Sequence, residues 1–478
     1  MTPGARIAAA IDILEAISAA PAPADDTAAD YFRRRRYIGA KDRVQVSAYL
    51  YAVLRHRAVI DWWIGRASKG EASPNARSRV IAALLLLDGW PPEEVAKSFD
   101  GGRFRPATLS AAEQRLVQGL AGRSLTHPDM PRAVANDLPA WLEPYLAKIY
   151  GKRLEEEMAA LNQSAPLDLR VNLLKTDRDT ARRALAEEQI EAEPTRWSPL
   201  GLRVKYRAPL AGTAVFKSGF VEVQDEGSQL AALLADARPG MRIVDFCAGA
   251  GGKTLALAAA MKNRGKLVAC DVSKRRLERA GQRLRRAGIS NVERRPLSSE
   301  RDPWVKRHVA DDKGGGFDRV FVDAPCLGIG SWRRNPDGKW RASPNDLAEL
   351  VERQRAILDS AARLVKPGGR LIYATCSLLR EENEAQAEAF LDAHADFTLY
   401  PAARAWRETI GGDCPAGNDY LRLTPASHGT DGFFVAQFQR KPKGKIPHLT
   451  PTLSAPSSFR RRGRRGSCSG TAITLSAL

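Results

Sequence analysis

The chain has 478 residues, 44% apolar and 27% charged, which is the make-up of a globular protein long enough for two or three domains. Lys and Arg outnumber Asp and Glu by 74 to 55, a net charge of +19; nine of those cations lie between Arg440 and Arg465, and the +10 left in the body favours a polyanionic partner. Six cysteines with no two within four residues argue against a disulfide framework and against zinc or redox pairs, and no apolar run nears a membrane span, so a cytoplasmic protein with no metal and no membrane partner is expected.

Residues 5 to 130 read as helical. Apolar positions recur at helical spacing through residues 6–17 and again through 44–64, and residues 79–87 supply a further apolar segment to pack on them. Pro21, Pro23, Asp25 and Asp26 punctuate the first connection. Arg33 to Arg36, Arg55 and Arg57 make this part locally basic. Another helical stretch covers 138–164. The period then switches. Residues 167–173, 201–206 and 220–223 read as strands and 179–188 as a helix, which together make a small α+β module.

From Gly227 onward strands and helices alternate regularly. Strands are expected at 240–245, 266–271, 292–295, 318–323 and 369–375, with helices at 253–261, 274–287 and 347–364. Short apolar strands separated by helices predict a mostly parallel, doubly wound α/β sheet, in which ligands sit beyond the carboxyl ends of the strands. After Lys441 the chain is rich in Pro, Ser and Arg and has no acidic residue, so a disordered basic tail is expected over 441–478.

Residues 245–254 read DFCAGAGGKT between a strand and a helix. A P-loop would need Gly where Cys247 stands, and a GxGxxG fingerprint starting at Gly249 would need Gly where Thr254 stands. What remains is close approach of a ligand to a helix N-terminus, which the small residues 248–252 permit. Asp271 ends the next strand 22 residues after Gly249, where a carboxylate can accept hydrogen bonds from ribose hydroxyls. S-adenosylmethionine fits this pattern without needing a pyrophosphate cradle. A turn that serves only tight strand–helix packing is the plain alternative.

Asp323, Ala324, Pro325 and Cys326 follow the fourth of these strands, and Thr375, Cys376 and Ser377 end the fifth. The two cysteines are 50 residues apart, yet adjacent strands would bring both to one cleft. A single cysteine there is usually a small buried hydrophobe. Two, with an aspartate, suit a particular chemistry. Cytosine C5 becomes nucleophilic once a thiolate adds at C6, and a base must then remove the C5 proton so that the thiolate can leave. A free thiol is mostly protonated at neutral pH, so a positive field is needed, and Arg333, Arg334 and Lys339 are candidates to supply it. Asp323 is suited to hold the base at N3.

These features resemble the RsmB/NOP2/Sun (Fmu) family of RNA cytosine-5 methyltransferases. The matching residues are 223–229 (VQDEGSQ), 245–254, Asp271, 323–326 with Gly328, 333–340 (RRNPDGKW), and 375–377 followed by Glu381, Glu382 and Asn383. The resemblance implies that Cys376 is the nucleophile and that Cys326 assists release of the product. It implies a cofactor site for S-adenosylmethionine lined by Phe246, Cys247, Ala248, Gly249, Ala250, Gly251, Gly252, Lys253, Asp271 and Asp323. The first helices, through residues 41–57, are similar to the NusB-like RNA-binding domain of the bacterial ribosomal-RNA branch. That branch implies small-subunit (16S) ribosomal RNA as substrate and partner. The implied domains are a helical NusB-like domain over 1–135, a linker helix and small α+β RNA-binding module over 136–222, a Rossmann-like methyltransferase domain over 223–440, and the tail. A monomer is expected.

Ala250 stands where the family has Pro, and Pro296, Leu297 and Ser298 stand where it often has an acid. Four other readings stay open. In a DNA-type cytosine methyltransferase Cys326 would attack. The substrate could be transfer RNA. The chain could be a non-catalytic ribosome-assembly factor. A nicotinamide dehydrogenase fits least, because the glycine fingerprint is incomplete.

Overall fold

The computed structural model describes residues 1–442 apart from 20–21, 71–72, 207 and 312–314. The expected tail therefore lies outside the described residues from 443 on.

The N-terminal region is helical, as its periodicity predicts. Helices Pro3–Ala19, Ala24–Arg34, Ala40–Arg55, Arg57–Ala67, Ala76–Leu86 and Ala111–Leu120 share one core, in which Ile7, Leu50, Ile60, Ile81, Leu84 and Leu120 are fully buried. Residues 44–64 are not one helix. The chain breaks at His56, whose ring lies 2.9 Å from Asp137 Oδ2, while Asp137 Oδ1 accepts from the Val59 N–H at 3.2 Å. A carboxylate from 81 positions away caps the second helix, so the break is tertiary in origin and leaves no local signal.

The small module is a four-stranded antiparallel sheet of β1 (Leu167–Val171), β2 (Ala192–Pro194), β3 (Gly201–Val204) and β4 (Val221–Val223), in the order β2-β3-β1-β4. Helix Arg178–Glu187 starts at Asp177, whose side chain accepts from the Thr180 N–H at 2.9 Å. It buries Ala181 and Leu185 against Leu169, Val171 and Leu202.

The large sheet holds β5 (Arg242–Asp245), β6 (Lys266–Asp271), β7 (Val292–Pro296), β8 (Phe317–Asp323), β9 (Val365–Thr375), β10 (Phe397–Leu399), β11 (Leu421–Leu423) and β12 (Phe433–Arg440). Strands β7, β6, β5, β8 and β9 run parallel in that spatial order, and β12 pairs antiparallel with β9, β10 and β11. The five parallel strands are those the sequence predicts; the antiparallel edge makes the sheet mixed. From β5 the chain moves outward through β6 and β7, then returns to β8 on the other side. The β5/β8 boundary is thus the switch point, where a crevice opens. Successive strand residues feed opposite cores: Val244, Val268, Val320 and Tyr373 face one, and Ile243, Leu267, Phe321 and Ile372 the other. Burial on both faces explains why these strands read as unbroken apolar runs.

Helices Glu143–Tyr150 and Leu154–Asn162 tie the parts together. Their Leu146, Leu154 and Leu161, with Leu142 just before the first, pack on Ile329, Trp332, Leu378 and Leu379, which lie in the segments that follow β8 and β9.

Candidate active site

The glycine loop leaves β5 at the switch point. The N–H of Phe246 donates to Phe321 O and that of Ala248 to Cys270 O, both at 2.8 Å, so the loop's first residues extend the sheet between β8 and β6. Gly249 and Gly251 have φ of 55° and 83°, and Gly251 caps helix Gly252–Ala260. A Cβ on Gly251 would stand 2.9 Å from Ala280 Cβ, so the position requires glycine for packing as well as for conformation. Asp271 braces the turn. One of its oxygens accepts from the Gly249 N–H at 2.8 Å and the other from the Ser273 N–H at 2.7 Å.

Beside this turn lies a cavity of about 500 Å³ lined by Phe246, Cys247, Asp271, Val272, Leu297 and Asp323, among others. A carboxylate has about four acceptor positions, so Asp271 keeps capacity for ribose hydroxyls. Val272 is 67% exposed next to it and offers an apolar face to a base. Ser298 and Ser299 also line the cavity. The volume and the donor set fit a nucleoside-bearing cofactor. Of the residues expected to hold it, Cys247, Asp271 and Asp323 line this cavity, and Ala248 to Gly252 form the turn.

Lys253 follows the turn and reaches across to Asp323. Its Nζ donates to Asp323 Oδ2 at 2.7 Å. Burial opposes its charge, but attraction and hydrogen bonding to Asp323 outweigh it, and the Cys376 sulfur adds to the effect, so the ammonium is held above the ordinary lysine range. Lys253 is thus a cation at the end of β8 whose charge is felt at Cys376. Arg333, Arg334 and Lys339 are engaged by other partners. Arg333 and Arg334 each reach Asp431 at 2.5 Å and also pair with Asp225. Lys339 is buried and donates to Asn162 Oδ1, Arg55 O and Asp137 O at 2.6, 3.1 and 3.2 Å. Trp340 donates to Leu54 O at 2.6 Å and Trp332 is core. The RRNPDGKW segment joins the helical region to the sheet; its cations were legible, but their partners were not.

The register of β8 on β9 places Asp323 opposite Ala374, and the Ala324 N–H extends the ladder to Ala374 O at 2.9 Å. The chain therefore emerges from both strands at one point, and Cys326 Sγ lies 3.5 Å from Cys376 Sγ. The hydrogen bond to Cys376 and burial hold the Cys326 thiol well above the ordinary cysteine range. The loop after Cys376 is fixed from behind. Thr375 Oγ1 donates to Asn383 Oδ1 at 2.5 Å, and Asn383 Nδ2 donates to Ser377 O at 3.0 Å. Glu382 Oε1 accepts from the Leu327 N–H at 2.9 Å and from Gln354 Nε2 at 3.0 Å, which ties the two cysteine segments together. Burial pushes the Glu382 carboxyl up. Gln354 also donates to Pro325 O at 2.9 Å; lying mid-helix in Pro344–Ala362, it gave no sequence signal. Among the described residues no group of His, Cys, Asp or Glu is arranged to hold a metal ion, and no helix is long and apolar enough to cross a membrane.

A mostly parallel sheet with a switch point, a glycine turn at a helix N-terminus and a carboxylate ending the next strand define a Rossmann-type fold that binds a nucleoside cofactor. Residues 232–439 match the family model of the 16S rRNA methyltransferase RsmB/F, and residues 138–211 match the ferredoxin-like domain of RsmF/B-like methyltransferases. The probable ribosomal RNA small subunit methyltransferase B of Synechocystis is 30% identical over 87% of this chain and 95% of its own. The ribosomal RNA small subunit methyltransferase B of Salmonella arizonae is 34% identical over 84% of this chain and 92% of its own. The crystal structure of PH0851 superposes with a TM-score of 0.74 at 27% identity, over 92% of this chain and 99% of that one. The chain belongs to the RsmB/F family of ribosomal RNA methyltransferases, and S-adenosylmethionine is its cofactor.

Proposed function

We propose that the protein methylates C5 of a cytosine in 16S ribosomal RNA through a covalent cysteine–C6 adduct. The observation that carries this reading is the 3.5 Å approach of Cys326 and Cys376. In it, the Cys376 thiolate adds to C6, and the charge that moves toward N3 meets the Lys253–Asp323 pair. S-adenosylmethionine, bound at the glycine turn by Asp271 and the cavity walls, supplies the methyl group. A base from solvent in the open cleft then takes the C5 proton, the C–H electron pair restores the C5–C6 double bond, and the C6–sulfur pair returns to Cys376 as the thiolate. The Cys326 thiol, kept protonated by its surroundings, is placed to hydrogen-bond the departing Cys376 sulfur and so assist release.

The target base must leave its stack to reach this depth, so a loop or partly folded RNA is the substrate form. In the same reading residues 1–135 form a NusB-like RNA-binding domain, 136–222 a second RNA-binding module, 223–440 the catalytic domain, and 441–478 a basic tail.

The experiment is adduct trapping with RNA and S-adenosylmethionine on denaturing gels. Cys326→Ala is expected to accumulate the covalent complex and Cys376→Ala to form none. The reverse pattern would make Cys326 the nucleophile. The ribosomal target is tested by bisulfite sequencing of 16S RNA from cells that lack the protein, where one 5-methylcytosine is expected to disappear.

A further inference from the structure

Helix Lys274–Ala287 follows β6 and packs beside β7, the edge strand of the large sheet. It buries Leu277, Ala280, Leu284 and Ala287. Its other face exposes Lys274, Arg275, Arg276, Arg279 and Arg285, and β7 adds exposed Arg294, whose Nη1 donates to Leu277 O at 3.1 Å. None of these six cations makes an ion pair among the described residues. Of the acids on this helix and β7, Glu293 is already paired with Lys266 at 2.8 Å, which leaves Glu278.

An ordinary solvated helix face intersperses both signs, and like charges at i and i+4, such as Arg275 and Arg279, repel. Within the helix only Glu278, three to four positions from Arg275 and Lys274, offsets part of that repulsion. The face is also continuous with the cleft: Arg283, on the same helix, donates to Ala250 O of the glycine turn at 2.6 Å, and Arg276 lines the cavity beside Asp271. At 1.5 Å per residue the helix is about 21 Å long, enough to meet several phosphates of one strand.

We propose that the exposed face of Lys274–Ala287, together with β7, is a sequence-independent contact for the phosphate backbone of the substrate RNA on the cofactor side of the cleft. The inference rests on RNA being the substrate. It adds a surface that neither the cysteine chemistry nor the N-terminal helices require.

The test uses the full chain, the triple variant R275Q/R279Q/R285Q, and a charge-matched control, R355Q/R363Q/R404Q, drawn from exposed arginines elsewhere. The probe is a fluorescein-labelled single-stranded RNA of mixed sequence, with affinity followed by anisotropy from 50 to 300 mM salt. Three lost phosphate contacts lower the slope of log affinity against log salt by about 2, roughly 0.7 each, and weaken binding about tenfold or more at 0.1 M salt. The KM for RNA is expected to rise with kcat little changed, and S-adenosylmethionine affinity to stay within about twofold. A triple variant that keeps the wild-type slope, or a control that loses as much, overturns the proposal. Wild-type protein with no salt-dependent RNA binding would instead remove the RNA reading, and this surface with it.

Discussion

Lys253 Nζ stands 2.7 Å from Asp323 Oδ2, although 70 positions separate the two residues in the chain. The contact links the first turn of the helix after β5 to the end of β8, and it crosses the switch point beside the two cysteines. Replacing Lys253 by Met removes the cation that offsets negative charge on Cys376 and leaves Asp323 without its partner. The kcat is expected to fall by about a hundredfold or more, as when one electrostatic stabiliser is lost. A Lys253→Met protein that keeps the wild-type kcat would assign Lys253 a purely structural role.

Gly251 combines a φ of 83° with a 2.9 Å approach to Ala280 by any added Cβ. Gly251→Ala pays about 1 kcal/mol for the left-handed conformation and must also push the Lys274–Ala287 helix outward. Titration calorimetry should show S-adenosylmethionine binding weakened about tenfold, with the circular dichroism of the apo protein nearly unchanged.

Glu382 accepts from both Leu327 N–H and Gln354 Nε2 through one oxygen, while its other oxygen has no hydrogen-bond partner among the described residues. Glutamine preserves the accepting oxygen. Glu382→Gln is therefore expected to keep kcat within about threefold. Glu382→Ala frees both cysteine segments and should cost tenfold or more, since misplacing a reacting group by about 1 Å costs up to roughly a hundredfold.

Lys339 makes a pH-dependent contribution to stability. Burial holds it down to about 8, against 10.5 for an ordinary lysine. Below pH 8 both the folded and unfolded chains carry the proton, and the buried charge opposes folding. Between pH 8 and 10.5 the unfolded chain binds more protons, so this contribution rises with pH. Compared with Lys339→Met, the wild-type protein should gain up to about 3 kcal/mol across that window, at about 1.4 kcal/mol per pH unit. Denaturant titrations of both proteins at pH 7.5 and 10 check it; parallel curves would mean that Lys339 is not buried as a cation.

Sequence alone determined the parallel strands, the glycine turn, Asp271 and both cysteines. These are local signals: unbroken apolar runs for strands buried on two faces, small residues where backbone must approach a ligand, and reactive side chains at strand ends. Tertiary structure decided which groups meet. The register of Asp323 opposite Ala374 brought the sulfurs to 3.5 Å, and packing across the switch point gave Lys253 to Asp323. Distant carboxylates made the same kind of choice: Asp137 ended a helix at His56, while Asp225 and Asp431 claimed Arg333 and Arg334. A side chain's chemistry is written in its own residue, but its partner is set by chain segments far away in sequence, and only folding brings the two together.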